Sequence, residues 1–211
     1  MNKFGLSASI YCGILLCGII GAAASPIMAK QQYDAGQEVN SDAAQEAESQ
    51  IFAVDKNRPT IGFVGVGQIR IGMAQEAMLK MGFADPYAHE KWQSDEEYAA
   101  CHHISNEIDY PYLNFMIVDG KLARIENHQG GWPVYKGGEI GMTIAQMKAI
   151  YGDELEQSLH PYGGDDMSQD AYLTLTSMGK TYRAIFEIYE GKVTGYRFGA
   201  SEAVGYIEGC A

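Results

Sequence analysis

Basic residues are scarce in this chain. Fifteen lysines and arginines stand against 27 aspartates and glutamates, and the formal net charge of −12 is spread along the sequence rather than gathered in a tail. That balance argues against nucleic acid and anionic membrane surfaces as partners, and it suits a partner that presents basic surface. No apolar run reaches the ~20 residues that a membrane-spanning helix needs. Cysteine is also scarce, with four in 211 residues and no Cys-x-x-Cys spacing, so no redox dithiol motif is present. A Gly-x-Ser-x-Gly elbow is missing, which removes one common signature of hydrolysis. Gly65-x-Gly67 lacks the third glycine of a dinucleotide fingerprint, and Gln68-Ile69-Arg70-Ile71 resumes strand alternation where a helix should open. The stretch therefore reads as an irregular strand.

What is present begins with export. Lys3, an apolar run over 10–24 and the small residues Ala22-Ala23-Ala24-Ser25 are the three regions of a secretory signal peptide. Cleavage is expected after Ala24, with Ala29 as the alternative, and the protein is expected in the periplasm or outside the cell. Cys17 is a poor lipidation site, because Leu16 fills the preceding position that should be small. Losing residues 1–24 leaves 14 basic against 27 acidic residues, a net charge of −13, and removes Cys12 and Cys17. Cys101 and Cys210 survive as an even pair in an oxidising compartment, and one disulfide is expected between them, with two free thiols as the alternative. Such a bridge closes a loop of 109 residues, for which chain entropy gives about 4.7 kcal/mol. Residues 25–59 are rich in Gln, Asp, Glu and Ala and read as a disordered acidic tether, with a transient helix over 41–50.

Beyond the tether the chain repeats itself. Ile140-Gly141-Met142-Thr143 echoes Ile71-Gly72-Met73-Ala74 at an offset of 69 residues, and Glu190-Gly191-Lys192 echoes Asp119-Gly120-Lys121 at an offset of 71. Each Gly-Met step opens a short helix. Thr143 and Gln146 form a T-x-x-Q capping box, Ile144, Met147, Ile150 and Tyr151 make one apolar stripe, and Gly152 is the stop. The earlier helix carries Ala74, Ala77, Met78 and Met81 at helical spacing and stops at Gly82, but Ala74 has no hydroxyl to cap it, so a frayed start is expected. Strands are expected over 98–104, 112–118 and 122–127, then over 172–176, 183–189 and 193–199, with 153–170 as a polar connection and 203–210 as a short strand or tail. Asp119-Gly120 and Glu190-Gly191 fit hairpin turns, either of two residues or with a glycine bulge. The fold class is α+β, with two tandem modules over 60–130 and 131–211, each a short helix packed on an antiparallel β-meander.

Paired modules with a Gly-Met helix start and a meander resemble the fold of β-lactamase inhibitory protein. More distantly they resemble the small lipoprotein of the outer-membrane barrel-assembly machinery. The Ile-Gly-Met segments and the ending Glu208-Gly209-Cys210 are also similar to those of a group of uncharacterised exported bacterial proteins. The likeness covers residues 69–210; Gly141-Met142-Thr143 matches best, and Ala74 departs at the cap. It implies an α+β repeat fold and an inhibitor-like role, and it transfers no contact residue.

The residues that could carry chemistry are few. His102 and His103 are neighbours on an expected strand and so face opposite ways, which prevents them from sharing an ion. Asp165, Asp166 and Asp170 lack the alternating spacing and terminal Glu of a calcium loop. No metal and no cofactor are expected. The function expected is that of an exported binding protein, of inhibitor, immunity or assembly-factor type, which engages an envelope or secreted protein through open sheet faces. Helices cover one side of each sheet, while 14 tyrosines and two tryptophans remain to be placed. The contact residues expected are Tyr112, Trp132, Tyr135, Tyr162, Tyr182 and Tyr189. The alternative is a periplasmic hydrolase with a site near His160 and Asp165 or Asp166.

Overall fold

Two glycines set the frame on which the strands are hung. In the computed structural model, which describes residues 51–86 and 96–210, Gly72 and Gly141 hold φ of +88° and +89°, a region that residues with a Cβ avoid. The Gly72 amide donates to the Leu122 carbonyl at 2.7 Å, and the Leu122 amide returns a bond to the Met73 carbonyl at 2.9 Å. The later segment repeats both bonds, Gly141 to Val193 at 2.7 Å and Val193 to Met142 at 2.9 Å. Each Gly-Met step is thereby stitched to the first residues past a hairpin turn. The signal segment expected over 1–24, the helix expected over 41–50 and Trp92 lie outside the described residues.

The fold is α+β, with few helices and antiparallel sheets. A small pair, β1 (Gly65–Val66) and β2 (Ile69–Arg70), precedes helix α1 (Gln75–Leu79), and α2 (Glu96–Ala100) leads into β3 (Cys101–Ile104), β4 (Asn114–Val118) and β5 (Lys121–Asn127). Helix α3 (Ile144–Tyr151) is followed by β6 (Leu155–Leu159), β7 (Ala171–Thr176), β8 (Tyr182–Tyr189), β9 (Lys192–Ala200) and α4 (Ser201–Val204). The seven strands β3 to β9 form one sheet in the order β3-β4-β5-β9-β8-β7-β6, every neighbour antiparallel. Two separate sheets were expected; instead β5 and β9 pair, from Arg124 with Gly199 to Asn127 with Tyr196. Pairing two long strands satisfies backbone groups that would otherwise be exposed edges.

The two hairpins match in detail. Asp119 and Gly120 have φ of +48° and +72°, Glu190 and Gly191 have +49° and +74°, as a two-residue turn with both central residues left-handed requires. Each hairpin also carries an irregularity, at Met116/Ile117 and at Glu187/Ile188. The bulge re-aims the side chains that follow it.

Alternation along the strands separates two faces. On one, Phe115, Ile117, Ile125, Phe186, Tyr196 and Phe198 meet Met78 of α1 and Met147 and Tyr151 of α3 in the main core. On the other, Tyr172 and Ile185 pack against Val204 of α4. Burying the aliphatic and aromatic side chains of the main core is the dominant stabilising contribution, roughly 1.5–3 kcal/mol for each large one.

Several expectations need correction. The strand expected over 98–104 is helical up to Ala100. The connection expected over 153–170 contains β6, whose Leu155 is buried while Glu156 and Ser158 stay exposed. This alternation on an edge strand is weak, because only one residue reaches the core. The closing segment, expected as a short strand or tail, begins in α4 and continues as turns and coil. The end of the expected tether is docked: the Phe52 amide donates to Gln129 at 2.7 Å, its carbonyl accepts from Gly131 at 2.9 Å, and its ring stacks on Tyr112 at 4.3 Å.

Candidate binding surface

The second face of the sheet was expected to stay open. Residues 201–210 return across it, and three devices hold them there. Cys210 is bonded to Cys101 of β3, with Cα atoms 5.2 Å apart. Arg124 of β5 donates from Nη1 to the carbonyls of Ala203 at 3.0 Å and Tyr206 at 2.8 Å. Arg197 of β9 donates from Nε to the Val204 carbonyl at 2.7 Å. The Ala203 carbonyl also accepts the Tyr206 amide at 3.2 Å, and the guanidinium groups add donors at and just beyond the negative end of the four-residue helix.

Both arginines are only 3% exposed, and each is matched by a carboxylate. Arg124 Nη2 lies 2.6 Å from Glu126, whose other oxygen lies 3.0 Å from His103 Nε2, and Arg197 pairs with Glu187 while stacking over the Tyr172 ring. Burial pushes the Glu126 carboxyl up. The hydrogen bond from His103 and the charges of Arg124, His103 and His128 outweigh it and bring the group down to about 2. Burial pulls the Arg124 guanidinium down, opposed chiefly by Glu126. The signal for this network was in the sequence. Arg124 and Arg197 each sit inside an apolar strand, where an unpaired charge would be costly.

The six expected contact residues do not come together. Trp132 is 2% exposed, its indole donates to the Pro111 carbonyl at 2.8 Å and stacks on Tyr110, so it belongs to the core and not to a surface. Tyr135 is half-buried beside Phe63, and its carbonyl accepts the Tyr151 hydroxyl at 2.5 Å. Tyr112 is half-buried under Phe52, and Tyr182 is half-buried at the start of β8. Only Tyr162 and Tyr189 are largely exposed, at 66% and 60%.

Tyr162 defines the surface that remains. Its hydroxyl bonds the Glu208 carboxylate, which raises the phenol's pKa and joins the β6–β7 loop to the C-terminal segment. Leu159 on the same strand end and Tyr206 and Ile207 beside Glu208 are exposed too. Composition could not reveal this group, since its halves lie about 45 residues apart and meet where the disulfide and the two arginines fold the chain end back. Of the alternative hydrolytic residues, His160 accepts from the Tyr162 amide at 3.2 Å and packs edge-on to Tyr172, while Asp166 accepts from Ser168. Among the described residues no hydrogen bond or ion pair joins His160 to Asp165 or Asp166. Among the described residues no group of three or more His, Cys, Asp or Glu is placed to hold a metal, and no helix is long and apolar enough to cross a membrane. No family model, curated protein or solved structure matches the chain.

Proposed function

We propose that the chain is an exported binding protein, made of two tandem modules that share one sheet, which engages an envelope or secreted protein in an inhibitory, immunity or assembly role. The matching helix starts, turns and bulges support the tandem reading. An offset of 71 residues also carries Glu126 onto Arg197, and these two residues are direct partners in the β5–β9 ladder. A local two-fold passing between them would relate the halves.

The observation that carries the functional reading is the exposed group of Leu159, Tyr162, Tyr206 and Ile207, fixed by a disulfide and by two buried arginines instead of hanging free. Preordering such a surface removes part of the entropic cost of association. Tyrosine supplies contact area with few rotatable bonds and a polar tip. The proposed partner surface therefore lies on the rim formed by the β6–β7 loop and the chain end, with Tyr189 as a further exposed candidate, and not on bare sheet faces. An inhibitor-like fold relationship is part of this proposal and rests on the Gly-Met motifs. The partner is expected to present basic surface, because the chain carries −12 in total and opposite charge speeds encounter.

Affinity capture from envelope extract at low salt tests it. Wild-type protein should retain a discrete partner whose recovery falls as salt rises, and Tyr162→Ser with Ile207→Ser should lose it while keeping the wild-type melting temperature. Undiminished capture by a folded double variant would overturn the assignment.

A further inference from the structure

Tyr196 is the largest side chain in the sheet whose polar atom has no protein partner. It is 1% exposed, and its hydroxyl is buried without a hydrogen bond. Such groups are rare, since a buried phenol ordinarily finds an acceptor or donor. Tyr196 lines a cavity of about 180 Å³ together with Phe52, Gly130, Trp132, Glu139 and Ile140. Glu139 is half-buried there, and no cation or donor within the described residues pairs with its carboxylate. Arg58, which lies over the Trp132 ring, is committed to the Gly131 carbonyl at 3.2 Å and to Asp55 at 3.7 Å.

The wall chemistry selects a ligand. Trp132, Phe52 and Ile140 offer aromatic and aliphatic surface, Glu139 offers a negative charge without a counter-ion, and Tyr196 offers one hydroxyl. Tyr110 stacks on Trp132, Arg58 lies over it and Phe52 stacks on Tyr112, so the Glu139 carboxylate attracts an organic cation chiefly through ion pairing, and the ring edges with Ile140 shelter its apolar body. The size is right for a small molecule, because an apolar cavity of about 150 Å³ accommodates benzene. We propose that this cavity is a binding site for an organic ammonium group carrying a short apolar body, its charge at Glu139, its body against Trp132, Phe52 and Ile140, and its polar atom within reach of the Tyr196 hydroxyl. The ammonium group comes either from a free monoamine or from a lysine side chain of a bound protein. The roof is the docked segment 51–54, held by the paired bonds of Phe52 to Gln129 and Gly131.

The test uses the mature protein and benzylamine, n-butylamine and toluene as probes, followed by chemical-shift titration and isothermal calorimetry. Benzylammonium and butylammonium are expected to saturate one site and to shift Trp132 and Tyr196 resonances, with toluene at least tenfold weaker. Glu139→Gln should weaken both amines by about tenfold or more, and Tyr196→Phe should weaken them less while keeping the fold, since the ring is retained. Saturation by Nα-acetyl-lysine methylamide as well would identify the lysine source, and its failure where butylamine binds would identify a free amine. Equal binding of toluene and benzylamine, unchanged affinity in Glu139→Gln, or no saturation by any probe would each overturn the site. A melting curve on each variant separates loss of binding from loss of fold.

Discussion

The two Gly-Met helix starts make the same backbone bonds to the same kind of hairpin, yet one helix has five residues and the other eight. Ala74 caps α1 with no side-chain bond. Thr143 accepts from the Gln146 amide at 3.3 Å, and Gln146 accepts from the Thr143 amide at 2.8 Å, which completes a capping box on α3. What both starts share is the left-handed glycine stitched to the strand. The cap is added to that frame and controls how much helix follows, because it satisfies donors that the first turn otherwise leaves bare.

The largest way to disturb this pairing of halves is to cut the bridge between them. Cys101 belongs to β3 at one end of the sheet, and Cys210 ends the segment that follows β9. Cys101→Ser with Cys210→Ser should lower stability by about 2–5 kcal/mol, measured by urea unfolding of the oxidised wild type against the variant. Reduction of the wild type should reproduce the loss. Because the same bridge pins Tyr206 and Ile207, amide exchange at 205–209 should quicken more than exchange in β4 or β8. Equal stability of the two proteins would show that Arg124 and Arg197 hold the segment unaided.

A second disturbance acts at the centre, where Glu126 faces Arg197 in the ladder. Glu126 is brought down from its ordinary 4.5 to about 2 in the folded protein. The unfolded chain therefore takes up this proton first as pH falls, so the stabilisation is present above about pH 5 and is lost between about 4.5 and 2. The shift corresponds to about 3 kcal/mol, little screened because the side chain is 13% exposed. Urea midpoints at pH 6, 4 and 3 should fall steeply for wild type. Glu126→Gln should be less stable at pH 6 and flatter across the same window. Parallel profiles would place the acid sensitivity elsewhere.

Much of the frame was legible in the sequence and the site was not, for a physical reason. Gly72 and Gly141, the two hairpin turns, the capping box and the Cys101–Cys210 bridge are decided by local geometry or by counting, and all six are present in the structure. Pairing of β5 with β9 depends on which of two strands finds the other, and no local pattern carries that. Trp132 was expected among the contact aromatics because no local pattern shows Tyr110 and Pro111 closing over its indole. The return of residues 201–210 was hidden for the same reason, since Arg124, which holds it, acts over about 80 residues of sequence.

The smallest effect is the most direct test of the opening comparison. Ala74 is exposed and extended, with φ −65° and ψ 137°, close to the φ −76° and ψ 159° of Thr143. A threonine there can present its hydroxyl to the first turn without backbone change, and Ala77→Gln would supply the reciprocal acceptor. Ala74→Thr with Ala77→Gln should stabilise the protein by about 1 kcal/mol, and Thr143→Ala should cost about the same. Protection of the amides at position 77 and of Met78 from exchange should rise in the first variant, and that of Gln146 should fall in the second. The two changes touch opposite halves of the sheet and share no partners, so in one protein they should add within about 0.5 kcal/mol. A neutral result for the new cap alongside a full loss at Thr143 would mean that the shortness of α1 is set by its packing around Met78, and that the cap of α3 follows from its longer helix instead of producing it.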